Sequence, residues 1–299
     1  AITTITKVRY LSLLHPLMPT QMSPELVAHI SASVRGALAE DVGSGDLTAA
    51  LVPSNQRAVA TIITRDGAVI CGQPWVKEVF RQLDPGIVIE WRIGEGDNAT
   101  QSQTLCELHG LARPLLTGER TALNFLQTLS AVASATRACA EAVAGTRTRI
   151  LDTRKTIPGL RLAQKYAVRI GGGTNHRIGL HDGILVKENH IVAAGGITKA
   201  VRRAREQGDR VLLEVEVETL AQAEEAMAAG ADRLLLDNFS VAQISEAVAL
   251  RDRKSPRTTL EASGGIHFET LRPVADTGVD FISIGALTKN IRAVDLSMR

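Results

Sequence analysis

The sequence predicts an α/β protein made of two parts, an α+β domain in roughly the first third of the chain and a parallel α/β domain beyond it. In the first part, short β-branched segments are mixed with helical ones and joined by tight turns, which is typical of an α+β domain. In the second part, short apolar segments alternate with amphipathic ones, as the buried strands and covering helices of a parallel sheet do.

The composition is that of a globular protein with one large domain or two of medium size. The 299 residues are 44% hydrophobic and 22% charged, with a formal net charge of +2. Aromatic residues make up only 3%, which argues against a nucleic-acid surface that stacks bases, and no apolar run is long enough to span a membrane. Cys71, Cys106 and Cys139 show no paired spacing. We therefore expect three buried thiols in a cytoplasmic protein, no disulfide or zinc site, and neither nucleic acid nor a membrane as a partner.

The N-terminal domain is predicted over residues 23–117, after an arm of residues 1–22 that we expect to be disordered or to lie along a partner. Ser23 and Pro24 are typical of a helix start, and apolar residues then recur at helical spacing to about residue 39. Asp66-Gly67 predicts a hairpin turn between the first two strands. The other predicted elements are strands at 58–64, 68–71, 87–93 and 104–108 and a helix at 73–83.

The C-terminal domain is predicted over residues 118–287, and the last segment, 288–299, is expected to pack back on the N-terminal domain. A long helix at 119–144 opens this domain. The strands that follow are fewer than the eight of a closed barrel, and the first is not followed by the glycine pattern of a dinucleotide site. Strands are predicted at 149–153, 183–187, 210–217, 233–237, 258–262 and 280–284, and helices at 163–170, 197–206, 220–229, 241–250 and 268–277.

Chemically active side chains are concentrated at the carboxyl ends of the predicted strands, where barrel enzymes place their sites. Cations are in excess between residues 152 and 190, although the whole chain is nearly neutral. This excess predicts a small, multiply charged anion as the ligand. The strand ends carry Asp152-Thr153-Arg154-Lys155, Lys187-Glu188-Asn189-His190, Glu216-Val217-Glu218, Asp237-Asn238-Phe239, Ser263-Gly264-Gly265 and Ile284-Gly285-Ala286.

One strand carries a glutamate at every second position. Because side chains alternate along a strand, Glu214, Glu216 and Glu218 share one face and the intervening valines share the other. In a barrel the valines would pack on helices and the glutamates would point inward, where a carboxylate needs a cation or a metal ion. We expect Glu218 to be solvated at the start of the next helix. The alternative to a ligand site is that the inward glutamates form ion pairs with Lys187 or Arg154 that only stabilise the barrel.

Glycine-rich turns can offer backbone N–H groups to the same ligand. Ser263-Gly264-Gly265 and Gly285-Ala286 follow the last two strands, where barrels of this kind bind phosphate, with simple turns as the alternative. Gly171-Gly172-Gly173 lies between Arg169 and His176-Arg177, which predicts an anion-binding loop.

Several short runs together resemble, in the same order, those of the quinolinate phosphoribosyltransferase family, also called nicotinate-nucleotide pyrophosphorylase (carboxylating). The resemblance covers nearly the whole chain from about Ser23. It implies an N-terminal α/β sandwich domain, an incomplete α/β barrel of six to seven strands, and a homodimer in which the partner's N-terminal domain closes the site. The runs are ERTALNF (119–125), DTRKT (152–156), GGGTNHR (171–177), LVKENH (185–190), EVE (214–216), LDNF (236–239) and SGGI (263–266).

The resemblance also implies a reaction and the residues that perform it. Quinolinate and 5-phosphoribosyl 1-pyrophosphate would give nicotinate mononucleotide, pyrophosphate and CO₂, as in de novo NAD biosynthesis. Arg154, His176 and Arg177 match the positions that hold the two quinolinate carboxylates, with Thr153 beside them. Arg120 matches an arginine supplied by the neighbouring subunit.

The other matched positions concern the sugar donor. Lys155 and Lys187 match lysines near the pyrophosphate and the reacting centre. Glu216 and Asp237 match carboxylates beside the ribose and its Mg²⁺, so the four are expected to be catalytic. The resemblance assigns no individual roles to Arg161, Lys165 and Arg169. The loops expected on the 5-phosphate are Ser263, Gly264 and Gly265, where some relatives carry Asn at the last position, and Ile284, Gly285 and Ala286.

The chemistry of the residues agrees with this expectation. A planar dicarboxylate suits the planar fork of arginine better than the ammonium group of lysine. Departing pyrophosphate builds negative charge that lysines and Mg²⁺ can offset, while inward carboxylates can stabilise a cationic sugar carbon. We hypothesise that ribosylation of the ring nitrogen precedes loss of CO₂, because a pyridinium ring accepts the released electrons better.

Three alternatives remain open from the sequence. A related phosphoribosyltransferase could act on another pyridine or carboxylated base. A phosphosugar aldolase or epimerase barrel would use a Schiff-base lysine, for which Lys187 at a strand end is a candidate. A non-catalytic anion- or nucleic-acid-binding protein is disfavoured by the low aromatic content and the inward glutamates.

Overall fold

The computed structural model describes residues 22–207 and 211–299. The predicted arm of residues 1–22 therefore lies outside the described residues except for its last position, and so does Arg210, the first residue of one predicted strand. Within the described ranges, no helix combines the length and the apolar character that a membrane crossing requires.

The N-terminal part of the chain mixes helices with short strands, as predicted. Its first helix begins where the sequence indicated: Ser23 Oγ accepts a hydrogen bond from the Leu26 amide at 3.2 Å and Pro24 occupies the first helical position. A short 3₁₀ turn at Ala49–Leu51 follows. The labelled elements are α1 (Pro24–Val42), β1 (Arg57–Thr64), β2 (Ala68–Val69), α2 (Gln73–Leu83), β3 (Val88–Trp91), β4 (Asn98–Ala99) and β5 (Thr104–Leu111).

A single long helix, α3 (Ala112–Ala142), connects the two parts of the protein. The prediction that this helix starts at residue 119 is wrong, because Pro114 fits the first helical turn and Gly118 is a packing position rather than a break. A Cβ on Gly118 would lie 2.6 Å from Phe80 Cε1 on α2, so only glycine allows the two helices to approach this closely. The predicted boundary between residues 117 and 118 thus falls inside α3.

The rest of the chain alternates strands and helices. Most bounds agree with the predictions, but the short helices α5 and α10 were not predicted, and the helix predicted at 268–277 is a 3₁₀ turn at Phe268–Thr270 followed by a brief α-helix. The elements are β6 (Arg149–Leu151), α4 (Arg161–Ile170), β7 (Gly183–Val186), α5 (Glu188–Ala194), α6 (Ile197–Gln207), β8 (Leu212–Val217), α7 (Leu220–Ala228), β9 (Arg233–Asp237), α8 (Val241–Lys254), β10 (Thr259–Ser263), α9 (Leu271–Ala275), β11 (Phe281–Ser283), α10 (Ala286–Lys289) and β12 (Leu296–Met298).

Six parallel strands form the sheet of the C-terminal domain in the order β6-β11-β10-β9-β8-β7. Its two end strands, β6 and β7, do not pair with each other, so the barrel is incomplete, as the sequence predicted. Thr174 makes an isolated parallel bridge with Leu151 on the free side of β6, and its amide donates to Ile150 O at 2.8 Å. The chain from Thr174 to β7 therefore lies in the gap of the barrel.

The N-terminal sheet is antiparallel, in the order β12-β1-β5-β3. The last strand of the chain returns to it, with Met298 opposite Ile62. The hairpin predicted at Asp66-Gly67 is wrong: β2 pairs with β4 instead. Both edges of β1 are already occupied, by β5 and β12, so β1 has no free edge to offer β2.

The alternation predicted for β8 is confirmed and defines the inside of the barrel. Val215 and Val217 are buried in the core between sheet and helices, whereas Glu214 and Glu216 lie on the opposite, inward face. Glu218 is exposed just past the strand, as expected. The carboxyl ends of all the parallel strands thus meet at one rim, called here the barrel mouth.

Candidate active site

Two lysines and two carboxylates come together at the barrel mouth. Lys187, directly after β7, donates from Nζ to Glu216 Oε2 on β8 at 2.8 Å. The Lys187 side chain is 51% exposed and that of Glu216 is 18% exposed, so the pair remains open to a ligand. Burial and the charge of Glu216 raise the pKa of Asp237 at the end of β9, while Lys187 and Lys155 act in the opposite direction. The four residues therefore share one electrostatic site.

The loop after β10 lies against the end of β9. Asn238 has a left-handed backbone with φ of 58°, and its amide donates to Ser263 O at 2.9 Å. Its side-chain amide donates to Asp237 at 3.1 Å. Gly264 has φ of 86°, and a Cβ there would lie 2.3 Å from Asn238 Oδ1. Only glycine fits this position, with Gly265 exposed beside it.

The loop after β11 lies against the loop after β6. A Cβ on Gly285 would lie 2.8 Å from Lys155 Cδ and 3.5 Å from Thr153 Oγ1, so the lysine stem passes directly over the glycine. The Lys155 amide donates to Thr153 Oγ1 at 3.0 Å. Thr288 Oγ1 donates to Lys155 O at 2.8 Å from α10. Thr153 and Lys155 are thus beside the predicted phosphate loop at Ile284, Gly285 and Ala286.

Two guanidinium groups lie near the gap of the barrel. Burial lowers the pKa of Arg177, and the nearby positive charge of Arg154 adds to this effect. Arg177 Nη1 donates to Gly183 O at the start of β7 at 3.1 Å, whereas Arg154 is exposed. Two cations that repel each other at a partly open site are stabilised by an anion placed between them.

A buried ion pair fixes the two loops that carry these arginines. Asp152 accepts hydrogen bonds from Lys165 Nζ, from Asn175 Nδ2 at 2.6 Å and from the His176 amide at 2.8 Å. Lys165 Nζ also donates to His176 O at 2.9 Å. Burial raises the pKa of Asp152 and lowers that of Lys165, and the charge of each partner opposes both shifts. No local pattern in the sequence pairs these residues, because they lie on different elements.

Arg161 has a similar positioning role that the sequence did not assign. Its guanidinium donates to Thr156 Oγ1 at 3.1 Å, to Ile178 O at 3.1 Å and to Arg154 O at 3.3 Å. It therefore ties the loop after β6 to the segment that fills the gap of the barrel. Arg169 is exposed on α4.

The run Gly171-Gly172-Gly173 packs closely against α3, and its predicted role as an anion-binding loop stays a prediction. A Cβ on Gly171 would lie 2.4 Å from Ala133 O, and one on Gly173 would lie 2.7 Å from Thr136 Cγ2. Both close approaches are to α3. The cation of this segment that lies near Arg154 is Arg177, which follows the glycines.

His176 lies under the barrel mouth, between two carboxylates. Its Nε2 is 2.8 Å from Glu214 Oε2 and 3.4 Å from Glu261 Oε2, and its side chain is only 8% exposed. Burial opposes a charge on the ring, but the two carboxylates outweigh it and raise the pKa of His176 to about 9. Burial and the charge of Glu261 raise the pKa of Glu214 to about 7. The three groups are therefore close enough that the charge of each depends on the other two.

Arg233 completes the charge balance of this cluster. Its Nη1 lies 3.5 Å from Glu261 Oε2, and its guanidinium stacks 4.1 Å from the centroid of the Phe281 ring. Glu261 and Arg233 were not predicted from the sequence, although a charge at an inward position of a central strand was a usable signal. The ligand atoms of His176, Glu214 and Glu261 lie within 4.8 Å of one another, as in a metal site, and a second such group is Glu90, Glu107 and His109 on the N-terminal sheet.

The structure does not bring Arg120 to this site. Arg120 is exposed on α3, and no hydrogen bond or ion pair joins it to the barrel mouth anywhere in the two described ranges. The other predicted site residues lie at the mouth, on its two glycine-containing loops, near the gap of the barrel for Arg154 and Arg177, or beneath the mouth for His176.

An incomplete parallel barrel with cations, carboxylates and glycine turns at one rim is typical of enzymes that bind phosphorylated, anionic substrates. Comparison with known proteins is more specific. The family models described as quinolinate phosphoribosyl transferase match in both parts, the N-terminal domain over residues 46–130 and the C-terminal domain over residues 132–299. The chain therefore belongs to the quinolinate phosphoribosyl transferase family.

Individual relatives agree with this assignment along most of the chain. A probable nicotinate-nucleotide pyrophosphorylase [carboxylating] of Bacillus subtilis is 42% identical over 87% of this chain and 89% of its own. The nicotinate-nucleotide pyrophosphorylase [carboxylating] of Mycobacterium leprae is 40% identical over 89% of this chain and 95% of its own. The solved structure of the nicotinate-nucleotide pyrophosphorylase from Francisella tularensis superimposes with a TM-score of 0.88 at 46% identity, covering 91% of this chain and 96% of that one.

Proposed function

We propose that this protein transfers the 5-phosphoribosyl group of 5-phosphoribosyl 1-pyrophosphate to the ring nitrogen of quinolinate, with loss of CO₂, to give nicotinate mononucleotide and pyrophosphate. Membership of the family over both domains supports this reaction. The observation that carries it is the convergence of Lys155, Lys187, Glu216 and Asp237 at the barrel mouth.

The charges at the mouth suit both ends of the bond that breaks. As the bond from the sugar carbon to pyrophosphate lengthens, positive charge develops on the sugar and negative charge on the leaving group. The carboxylates of Glu216 and Asp237 would stabilise the positive charge on the sugar. The ammonium groups of Lys155 and Lys187 would stabilise the negative charge on the leaving group. Because Lys187 is already paired with Glu216, both charges are held in place before substrate binds.

Quinolinate would bind beside the sugar donor, against the gap of the barrel. Arg154 and Arg177 supply two guanidinium forks for its carboxylates, with Thr153 adjacent to Lys155. The 5-phosphate would lie on the backbone N–H groups of Ser263, Gly264 and Gly265 and of Ile284, Gly285 and Ala286. Gly264 and Gly285 let Asn238 and Lys155 pack closely against these two loops, because each lacks the Cβ that would clash with them.

We propose that Mg²⁺ accompanies the sugar pyrophosphate. Glu216 and Asp237 fit this ion, since they offer carboxylate oxygens on neighbouring strands close enough for the charge of one to raise the pKa of the other. When bound, the ion offsets the negative charge of the leaving pyrophosphate.

A homodimer and a cytoplasmic location complete the proposal. Arg120 would serve the site of the partner subunit, which is consistent with its exposure on α3 and with the absence of any described bond to its own barrel mouth. Cys71, Cys106 and Cys139 are free and buried, as expected of a protein in a reducing compartment. No observation favours the aldolase alternative, because Lys187 is ion-paired rather than set in an apolar pocket that would favour the neutral amine.

The decisive experiment is a spectrophotometric assay of quinolinate consumption, with and without 5-phosphoribosyl 1-pyrophosphate and Mg²⁺. We expect loss of quinolinate only when both are present, with CO₂ released in equal amount. Nicotinate in place of quinolinate should not react. Turnover of nicotinate instead would assign the protein to the related-base alternative, and CO₂ release without the sugar donor would contradict the order in which ribosylation comes first.

A further inference from the structure

His190 bonds both backbone groups of Lys187. The Lys187 amide donates to His190 Nδ1 at 3.0 Å, and the Lys187 carbonyl accepts from the His190 amide at 2.8 Å. Lys187 directly precedes α5 and His190 is the third residue of that helix, so the ring takes the part that a Glu or Gln side chain plays in a capping box. The histidine therefore fixes the point at which the chain turns from β7 into α5.

The surrounding structure does little else to fix this turn. The register of β7 with β8 ends at the pair of Val186 and Val215, so the ladder of the sheet stops before the Lys187 amide. β7 is an end strand of the sheet, and none of the seven residues of α5 is buried. Hydrogen bonds to His190, rather than core packing, therefore set where the backbone of Lys187 lies.

Lys187 is thus anchored at two points, its backbone at His190 and its ammonium group at Glu216. A ligand that draws the ammonium group away from Glu216 leaves the backbone anchor in place. The other lysine of the mouth is anchored in the same manner, since the Lys155 amide donates to Thr153 Oγ1 at 3.0 Å and its carbonyl accepts from Thr288 Oγ1 at 2.8 Å. For Lys187 a single residue makes both bonds.

We propose that His190 is a positioning residue for Lys187 and acts through Nδ1, without touching either substrate. The inference rests on the proposed function, in which the ammonium group of Lys187 offsets the charge of the departing pyrophosphate. That charge develops only as the bond breaks, so a well-placed ammonium group stabilises the transition state more than the bound substrates. Loss of the anchor should therefore lower kcat and leave KM nearly unchanged.

Two substitutions of similar shape test the role of Nδ1. In His190→Asn the side-chain oxygen occupies about the position of Nδ1, with no polar atom at the position of Nε2, whereas His190→Leu has no acceptor at all. We expect kcat within about threefold of wild type for His190→Asn and about tenfold lower for His190→Leu, with KM for both substrates within about twofold. Equal losses in the two variants would overturn the proposal and point to a direct contact of Nε2 with a substrate.

The start of α8 provides a matched control for the loss of a helix cap. There the Ser240 amide donates to Gln243 Oε1 at 2.9 Å, which again joins the residue before a helix to its third residue. Gln243→Leu removes this bond without affecting a proposed site residue and should leave kcat within about twofold of wild type. A loss as large as that of His190→Leu would mean that any weakened helix start lowers activity, which contradicts a specific role for His190.

A double variant tests whether His190 acts only through Lys187. Adding His190→Leu to Lys187→Ala should change kcat by less than about twofold, because the group that His190 positions is already absent. A further tenfold loss would show that His190 has a role independent of Lys187, against the proposal.

Amide exchange reads the bond itself and needs no turnover. In NMR spectra of the ¹⁵N-lysine-labelled protein, with Lys187→Ala used to assign the signal, the Lys187 amide should exchange with solvent about tenfold or more slowly in wild type and His190→Asn than in His190→Leu. Rapid exchange in the wild type would refute the anchor even if a variant does not fold. Failure of the proposed function would instead appear as a wild-type protein that consumes no quinolinate although its Lys187 amide is protected.

Discussion

Lys187 and Glu216 face each other across neighbouring strands at the barrel mouth, with Nζ and Oε2 2.8 Å apart. The register that pairs Val186 with Val215 places the next residue of each chain segment side by side on the inward face. The ion pair is therefore a consequence of strand register. It presents a cation and a carboxylate at the position where the sugar–pyrophosphate bond is proposed to break.

Replacing Lys187 tests whether this ion pair is catalytic. Lys187→Ala should lower kcat by about 10²- to 10³-fold, because it removes a positive charge that acts on the leaving group. The fold should survive, since the side chain is half exposed. Steady-state kinetics and thermal unfolding would measure both effects. Lys254→Ala is the matched control, because Lys254 is also half exposed and forms an ion pair with Glu224 away from the mouth. Near-normal turnover of Lys187→Ala would contradict the proposed site.

Mixing two inactive variants tests whether Arg120 acts across a dimer. Arg120→Ala and Arg154→Ala should each be inactive alone, because each removes a guanidinium that binds quinolinate. If Arg120 serves the partner's site, random exchange of subunits should restore about a quarter of wild-type activity, since half of the dimers then carry one intact site of two. Activity is measured after co-refolding in equal amounts. No recovery, with exchange verified by a tag on one variant, would count against a shared site.

The loop after β10 can be tested at Gly264. Gly264→Ala places a Cβ 2.3 Å from Asn238 Oδ1 and should raise KM for 5-phosphoribosyl 1-pyrophosphate about tenfold, because the phosphate loop must shift. Gly230→Ala is the control: its φ of 92° is also positive, but nothing lies within 4 Å of the added atom. Both variants should lose about 1 kcal/mol of stability from the left-handed backbone. Equal kinetics in the two would mean that the loop does not bind the sugar donor.

The buried pair of Asp152 and Lys165 makes a prediction about stability. Their side chains are 0% and 3% exposed, so Lys165→Met leaves a buried carboxylate without its cation. The free energy of unfolding should fall by about 3–5 kcal/mol, and the double variant with Asp152→Asn should recover part of that loss. Urea denaturation of the single and double variants measures both values. A loss below about 1 kcal/mol would show that the pair is not needed to hold the loops.

The pH profile should report the ionisation of Asp237. Burial and the charge of Glu216 raise its pKa, so the acid limb of kcat/KM for 5-phosphoribosyl 1-pyrophosphate should lie above the ordinary range of an aspartate. Glu216→Gln removes the second of these effects, and the limb of its residual activity should therefore move to lower pH. A limb that moved to higher pH in this variant would contradict the assigned interaction.

Local patterns predicted several elements with their bounds. The helix Gln73–Leu83 and the strand Arg233–Asp237 were placed correctly, because apolar periodicity and flanking turn residues act over a few residues. The same reasoning predicted the inward face of Glu214 and Glu216. It failed at the start of α3, because Gly118 reads locally as a helix break and only contact with Phe80 explains its presence.

Which residues of the site pair with one another could not be predicted from the sequence, for a different reason. Asp152 and Lys165, like His176 and Glu261, lie on separate elements, and no residue spacing records which of them meet. The family resemblance named His176 as a contact of the substrate, but it did not show that both ring nitrogens are already bonded inside the chain.

By itself the sequence determined the class of this protein, the succession of its strands along the chain and the rim at which its charged residues end, because strand alternation and the direction of parallel strands fix which side chains share a face. Only the tertiary structure decided where the barrel is open, between β6 and β7, and that Thr174 and the residues after it fill the gap. It also decided which cations are paired within the chain and which remain available for an anion. Those outcomes depend on distances between residues far apart in the chain, which packing sets and local composition does not.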